Sequence, residues 1–271
     1  MRATVIEARA PSWLSTLGEI WDARELLQTL VARELRIRYA QTWVGVAWVA
    51  LKPLATMALL WAIFGVAADL PTDGMPRPVF FFAGLMIWFF FSGAITDGKD
   101  SLVANADLIR KVYFPRALLP LAIVVARLVD LGIMMVFLAI LLVLTGTAAW
   151  PSVPGVLWAV ATTSALATAI GLLSAAINVR YRDATHVVPV ALQLLMFASP
   201  ILYSSRLVPE RWVHLYALNP LVGLIDGARA SLAGRPLDPA SALMATAVTL
   251  VLLGVAAIVF RRLETSFADF V

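Results

Sequence analysis

The chain has 271 residues, of which 61% are hydrophobic and 14% are charged. A soluble domain contains about 45–50% apolar and about 25% charged residues, so these proportions exclude an ordinary water-soluble domain. The chain has no cysteine, which excludes disulfides and thiolate chemistry, and its two histidines are isolated, so we expect no metal site. The net charge of +4 does not require nucleic acid, because membrane proteins carry excess arginine on one side.

The apolar residues fall in long blocks that predict an all-α integral membrane protein. Blocks of about 20 residues match the roughly 30 Å hydrocarbon core of a bilayer. Helices are favoured because they satisfy their own backbone groups in lipid. In chain order the six predicted transmembrane helices cover about residues 43–68, 79–95, 117–145, 155–177, 186–203 and 241–260, all within a transmembrane domain at 43–260.

The polar segments between these blocks also carry helical patterns. Residues 24–40, within an N-terminal segment at 1–42, predict an amphipathic helix at the membrane interface; a solvated helix packed on its own protein stays open. Residues 99–112 predict a polar helix that ends before Pro115. Residues 204–240 are too short to cross twice and too apolar for a free loop, so we expect short helices at the outer face.

The distribution of lysine and arginine predicts the orientation. Fourteen of these residues lie on the side of the N-terminal segment and five on the other, with Lys52 and Arg127 inside spans. The positive-inside rule then places the N terminus and the polar tail at 261–271 in the cytoplasm.

Three patterns inside the apolar blocks are ambiguous. The sequence Gly93-x-x-x-x-Gly98-Lys99-Asp100 lacks the Ser or Thr of a phosphate-binding loop and follows a membrane span, so we expect no ATP hydrolysis by this chain. Arg127 and Asp130 share one helix face and form either an ion pair or part of a transport path. The aromatic run from Phe80 to Phe91 suits interface anchoring, helix packing or stacking on sugar rings.

Five segments in order resemble the membrane subunits of ATP-binding-cassette exporters for bacterial surface polysaccharide, such as O-antigen and teichoic acid. The most specific of them is the Lys-Val-x-Phe-Pro-Arg string. The segments are Arg36-Ile-Arg-Tyr39 with Gly45-x-x-Trp48-x-x-x-x-Pro53, Gly84 to Ser92 followed by Asn105 to Arg116, Asn178-Val-Arg-Tyr-Arg182-Asp183, Leu218-Asn219-Pro220-Leu221, and the tail Glu264-Thr-Ser-Phe267-Ala-Asp269.

The resemblance implies a homodimeric permease in the bacterial inner membrane, driven by two copies of a separate ATPase that uses ATP and Mg. No cofactor is expected in this chain itself. The substrate would be a glycan on a polyprenyl pyrophosphate lipid, most simply O-antigen, passing along the first and fifth spans. The helix at 99–112 would be a coupling helix, and the segment 204–240 would supply outer gate helices.

The candidate site residues follow from this resemblance and from phosphate chemistry. Arginine forms forked hydrogen bonds with phosphate oxygens, although positive-inside anchoring explains the same arginines equally well. The candidates for the lipid pyrophosphate or the substrate path are Arg33, Arg36, Arg38, Arg116, Trp48, Phe197 and Tyr203. The candidates for coupling to the ATPase are Asn105, Asp107 and Lys111.

Two alternative functions remain open from sequence. A drug or small-lipid exporter of related architecture would share the same spans. A membrane-embedded lipid-phosphate transferase would need clustered acidic or histidine side chains at one membrane face, and the acids Asp97, Asp100 and Asp107 do not form such a ligand spacing.

Overall fold

The computed structural model of the protein describes residues 18–19, 21–40, 47–67, 71–147, 151–181, 183–264 and 267. Predictions for residues 1–17, for the start of the first span at 43–46 and for the end of the tail at 268–271 lie outside the described residues. The described parts are helices joined by turns, without a strand among them, which confirms the all-α class. The helices are α1 (Arg24–Tyr39), α2 (Ala47–Leu60), α3 (Arg77–Ala104), α4 (Ala106–Lys111), α5 (Leu118–Leu144), α6 (Val153–Arg180), α7 (Ala184–Phe197), α8 (Glu210–Ala217), α9 (Pro220–Leu232) and α10 (Pro239–Glu264).

Five helices in the described parts are long and apolar enough to cross a membrane. They are α2 with its π-helical continuation at Trp61–Ala67, α3, α5, α6 and α10. The predicted fifth span, residues 186–203, instead contains the 14-residue helix α7. At 1.5 Å per residue this helix is about 21 Å long, which is shorter than the roughly 30 Å hydrocarbon core.

The helix bundle has two polar ends, which we call the basic end and the opposite end. The basic end comprises α1, α4, the end of α6 and the last residues of α10; the opposite end comprises the 71–76 turn, α8 and α9. At each end, hydrogen bonds connect segments that are distant in sequence. At the basic end, Asn178 Nδ2 donates to Lys99 O (3.0 Å) and Arg116 N donates to Glu264 Oε1 (3.0 Å). At the opposite end, Ser204 Oγ donates to Asp73 Oδ2 (2.7 Å) and Ser152 N donates to Ser231 O (2.8 Å).

The helix α7 runs from the basic end to the opposite end even though it is short. At its start, Thr185 donates a hydrogen bond to the Asn178 side chain at 3.1 Å. Beyond its last residue the chain turns at 198–200, and Asn219 beside α9 donates to Ala198 O at 3.0 Å. The predicted fifth span therefore contains a short helix followed by a non-helical turn. Such irregular backbone at membrane depth is tolerated where protein groups satisfy it.

The helix α3 forms the centre of the bundle and packs mainly against α5 and α6. Its residues 79–91 are apolar on all sides, and a helical segment of this kind is expected to be buried. Its aromatic residues Phe80, Phe81, Phe82, Phe90 and Phe91 are almost completely buried. Among the three interpretations of the aromatic run, helix packing therefore describes these five rings.

The polar helix predicted at 99–112 differs from the observed structure. The second span, predicted to end near residue 95, continues without a break to Ala104, and only α4 forms a separate helix. The break lies at Asn105, which has φ −113° and ψ 26°. The helix continues past Asp97 and Lys99 because neighbouring side chains pair with their charges, so these residues do not mark the end of the span.

Candidate functional site

Four charged residues from three helices meet between α1, α3 and α5, and we call them the charge cluster. Arg38 donates to Asp97 and to Asp130, both at 2.9 Å. Arg127 donates to the same two carboxylates, at 2.6 Å for Asp97 and 3.0 Å for Asp130. The ion pair expected between Arg127 and Asp130 is therefore present, as one edge of a larger network.

The charge cluster is well satisfied for a group of ions at membrane depth. Asp130 is only 2% exposed, and Tyr39 donates a third hydrogen bond to it. Burial, and then the bond to Asp130, raise the pKa of the Tyr39 hydroxyl, which therefore stays protonated as a donor. Isolated charges in a span are costly, whereas paired ions with full hydrogen bonding are tolerated. The network consequently fixes the end of α1 to the second and third spans.

The cluster forms one wall of a cavity of about 470 Å³, which we call the cluster cavity. The other walls come from α2 and α3 and include Trp48, Lys52, Trp88 and Phe89. The Lys52 ammonium lies 5.3 Å from the centre of the Phe89 ring and forms no ion pair with any residue that the structure describes. The cavity thus contains three cations against two carboxylates, which leaves an excess positive charge beside aromatic faces.

A glycine on α3 leaves space for the Arg127 guanidinium. A Cβ atom at Gly93 would lie 2.8 Å from Arg127 Cζ, closer than real Cβ contacts allow. Gly93, the first glycine of the sequence that resembles a phosphate-binding loop, therefore has a packing role in the charge cluster.

The structure distributes the predicted substrate candidates over several places. Arg38 and Trp48 line the cluster cavity. Arg36 is exposed on α1, and its side chain forms no ion pair among the described residues. Phe197 and Tyr203 lie at the opposite end, where the Tyr203 hydroxyl donates to Phe197 O at 3.0 Å.

Arg116 is hydrogen-bonded to the last residue of α10. Its backbone N–H donates to Glu264 Oε1 at 3.0 Å, and its guanidinium donates to Glu264 O. The guanidinium also lies 6.0 Å from the ring of Phe267, which is only 1% exposed and packs edge-on against Phe260. Two segments that carry the family resemblance, Phe114-Pro115-Arg116 and Glu264 to Phe267, therefore meet at the basic end. A role for Arg116 in phosphate binding stays a prediction.

The coupling candidates separate into one buried and two exposed residues. Asn105 is 7% exposed, accepts a hydrogen bond from Arg33 and donates to Ser101 O at 2.7 Å, so it joins α1 to the break between α3 and α4. Asp107 and Lys111 are exposed on α4. The neighbouring Tyr113 is 98% exposed, which makes it the most prominent aromatic side chain of this segment.

Sequence reasoning missed the grouping of Lys52, Asp97 and Arg127 in one cavity. The available signal was an ionisable residue within or beside each of the first three apolar blocks. Because the helices could not be oriented relative to one another from sequence, these three residues could not be assigned to a shared site.

At the opposite end a buried arginine binds the backbone. Arg229 on α9 donates to Phe80 O at 3.2 Å, to Ile201 O at 3.1 Å and to Pro200 O, and its guanidinium stacks on the Phe80 ring at 3.5 Å from the centre. Burial lowers the pKa of Arg229 to about 10, so the guanidinium remains charged at neutral pH. Arg229 therefore satisfies the Pro200 and Ile201 carbonyls of the turn that follows α7.

The chain belongs to the ABC-2 type transporter family, whose sequence pattern matches residues 25–233. It is 33% identical to the O-antigen export system permease protein RfbA of Myxococcus xanthus over 93% of this chain and 97% of that protein. A protein of the same name from Klebsiella pneumoniae is 26% identical over 93% of this chain and 96% of its own length. The polysialic acid transport protein KpsM of Escherichia coli is 26% identical over 75% of this chain and 79% of that protein.

Proposed function

We propose that this chain is the channel-forming permease subunit of an ATP-driven exporter for a lipid-linked polysaccharide of the O-antigen type. The names of the similar proteins support export of a bacterial surface glycan. We also propose that two copies form a homodimer in the inner membrane. The excess of basic residues at one end accords with both termini in the cytoplasm. ATP and Mg would be used by two copies of a partner subunit.

The cluster cavity is the observation that carries the proposal. A polyprenyl pyrophosphate sugar presents an anionic group beside a sugar ring, so its site should combine cations with aromatic faces. The cavity offers both, with Lys52 available to the anion and Trp48, Trp88 and Phe89 beside it. One of its residues, Arg38, lies on α1, which belongs to the basic end.

Coupling to the ATPase would use the exposed side of α4 and the residues that follow it. Asp107, Lys111 and Tyr113 are all accessible there. Asn105 would act as a positioning residue, since its hydrogen bonds to Arg33 and Ser101 fix the break before α4. A push on α4 would then reach α1 through Arg33 and the charge cluster through Arg38.

The proposal is tested with Lys52→Gln in nanodiscs that contain the permease and its partner ATPase. We expect the wild type to show ATPase stimulation by polyprenyl-pyrophosphate-linked glycan. Losing a charge-assisted hydrogen bond to phosphate should raise the half-maximal concentration by about tenfold or more in Lys52→Gln. Lys52→Arg should restore most of the response, because it keeps the charge.

The matched control is Arg24→Gln, which removes a positive charge from the exposed side of α1 outside the cavity. Arg36→Gln, made in parallel, tests Arg36, a predicted pyrophosphate candidate that is exposed on α1. An equal response of Lys52→Gln and wild type, in protein that inserts normally, would refute the cavity as the headgroup site. A wild type that responds to a small lipid and ignores the glycan would overturn the polysaccharide assignment.

A further inference from the structure

A second polar cavity lies at the opposite end, between α9, the start of α10 and the connection that joins them. Its volume is about 230 Å³, and we call it the opposite-end cavity. Asp226 projects from its α9 wall, Arg235 lies on the connection, and Asp73 and Arg206 complete the lining. None of these residues belongs to the cluster cavity.

Small residues on α9 create this space. Gly223, Gly227 and Ala230 follow the helical spacing that places them on the same face as Asp226. A Cβ atom at Gly223 would lie 2.7 Å from Ser241 O, and one at Gly227 would lie 2.5 Å from the Trp158 ring. The two glycines therefore let α9 approach α10 and α6 closely, while the face beside Asp226 stays concave.

Three of the charged groups in the cavity, Asp73, Arg206 and Arg229, already have partners. Asp73 accepts a hydrogen bond from Ser204 at 2.7 Å and lies 3.3 Å from Arg206 Nε. The three hydrogen bonds that Arg229 donates go to backbone carbonyls, as described above.

Asp226 and Arg235, which also line the cavity, retain unused hydrogen-bonding capacity. Asp226 lies 3.7 Å from Arg229 Nη1, which is too far for a hydrogen bond, and has Ser205 as its hydroxyl partner. Arg235 lies over Gly74, where a Cβ atom would come within 3.2 Å of Nη2, and forms no ion pair in the described ranges of the chain. An acceptor and a donor therefore line the same cavity without pairing with each other.

The charges of the cavity indicate the class of ligand. Three carboxylates, Asp73, Asp226 and Asp238, are balanced by Arg206, Arg229 and Arg235, so the lining has no net charge. A balanced lining gives no long-range attraction for an ion, and its polarity disfavours an acyl chain. A ligand with neighbouring hydroxyl groups can donate to a carboxylate and accept from a guanidinium at the same time.

We propose that the opposite-end cavity binds one neutral, hydroxyl-rich sugar unit, with Asp226 accepting from a ring hydroxyl and Arg235 donating to the next. Its volume lies below the roughly 300–1,000 Å³ of common ligand sites, which suits a single sugar ring. Met75 and Leu237 supply an apolar patch for the carbon face of the ring. The identification of this sugar as part of the exported polymer rests on the proposed function.

The experiment is saturation-transfer NMR on the intact transporter in nanodiscs, with methyl glucoside, methyl mannoside and methyl rhamnoside as probes. We expect transfer to the ring protons of at least one probe, with a dissociation constant about tenfold higher in Asp226→Asn and in Arg235→Gln, since each loses a charge-assisted bond. Asparagine keeps the size of Asp226 and an oxygen for Ser205. Arg211→Gln, a variant of an exposed arginine on α8, should bind as the wild type does.

Three outcomes would overturn the proposal. They are no transfer from any probe, equal affinity in wild type and both cavity variants, and tighter binding of methyl glucuronide than of the neutral probes. Lys52→Gln separates this proposal from the previous one, because it should leave glycoside binding unchanged while it weakens the response to the lipid-linked glycan. If the wild type binds glycosides but shows no stimulation by that glycan, the proposed function fails and the cavity stands.

Discussion

In the described parts of the protein, arginine side chains pack between helices at the charge cluster and at the Arg229 site, and the two sites satisfy them in different ways. In the charge cluster, Arg38 and Arg127 share two carboxylates beside a cavity. At the opposite end, Arg229 donates to three backbone carbonyls and stacks on Phe80. Side-chain partners can be exchanged for a ligand phosphate by rotamer changes, whereas carbonyl partners are part of the fold.

Each site also depends on a glycine of α3. Gly93 makes space for Arg127, and Gly84 makes space for Arg229, whose Nη2 would lie 2.7 Å from a Cβ atom there. The central helix thus accommodates one guanidinium near each end of the bundle. We infer that Arg127 is an adjustable guanidinium and Arg229 a fixed one, and the predictions that follow probe the two sites.

The largest expected effect is that of Arg229→Leu on stability. The change removes the donor to two carbonyls of the turn after α7, those of Pro200 and Ile201, and each buried group left unsatisfied costs about 1–3 kcal/mol. We expect a loss of about 3 kcal/mol or more, seen as a lower thermal midpoint of the protein in detergent. The thermal midpoint of Arg229→Lys should lie between those of Arg229→Leu and the wild type. Arg211→Leu, on the exposed side of α8, should have the thermal midpoint of the wild type. A thermal midpoint unchanged in Arg229→Leu would show that the carbonyls find other donors.

Asp130→Asn should have the next largest effect. It leaves Arg38 and Arg127 with Asp97 as their one shared carboxylate, and breaking a buried ion pair costs about 3–5 kcal/mol. We expect the lower end of that range, because both arginine side chains are partly exposed. Hydrogen exchange should also become faster in α1, which Arg38 joins to the spans. Asp107→Asn provides the exposed control, and unchanged exchange in α1 would contradict the role of the cluster as its attachment.

Alanine at the two glycines of α3 should give unequal results. At Gly84 the new methyl group meets an arginine fixed by three hydrogen bonds, so we expect a loss of about 2 kcal/mol, as for other overpacked sites. At Gly93 it meets an arginine that borders a cavity and can shift, so stability should fall by less than about 1 kcal/mol. Thermal unfolding of both variants measures the difference. Equal losses would remove the distinction between a fixed and an adjustable guanidinium.

The smallest expected effect is on the pH dependence of stability. Burial raises the pKa of Asp226 above its ordinary value of 3.8, against the opposing influence of Arg229, Ser205 and Arg206. The folded protein therefore binds this proton more tightly than the unfolded chain, and the cost of the ionised carboxylate is present at neutral pH and disappears on acidification. Asp226→Asn should be slightly more stable than the wild type at neutral pH. This difference in stability should disappear as the pH falls toward the ordinary carboxyl pKa of 3.8.

The measurement for this last prediction is the thermal midpoint of both proteins across that pH interval. Asp238→Asn is the matched control, because that carboxylate lines the same cavity and is exposed. A gap that stays constant with pH would contradict the role assigned to Asp226.

Composition and apolar block length predicted the all-α membrane class, because lipid restricts the backbone to few solutions. The same reasoning did not predict that the helix of the second span continues to Ala104, because the charge of Asp97 was taken as a sign of water. Its partners Arg38 and Arg127 come from other helices and cannot be identified from local sequence. The short α7 was likewise unpredictable, since the donor that satisfies the turn after it is Arg229, 28 residues from Ile201.

The candidate residues show the same limit. Arg116 was selected for phosphate chemistry from its neighbours in sequence, but its partner Glu264 is 148 residues away. Trp48 and Arg38 were selected for the resemblance they carry, and they do line one cavity. Residue type and a resemblance could therefore propose the chemistry, whereas the partners of each group depend on the packing of the helices.

The position of Phe267 has a practical consequence for engineering this protein. Its ring is enclosed beside Phe260 and the Arg116 guanidinium, and only 1% of it is exposed. A bulky probe attached at position 267 would displace this aromatic pair. A probe attached at Gln28, which is exposed on α1, would leave the aromatic pair and the segment leading to α5 undisturbed.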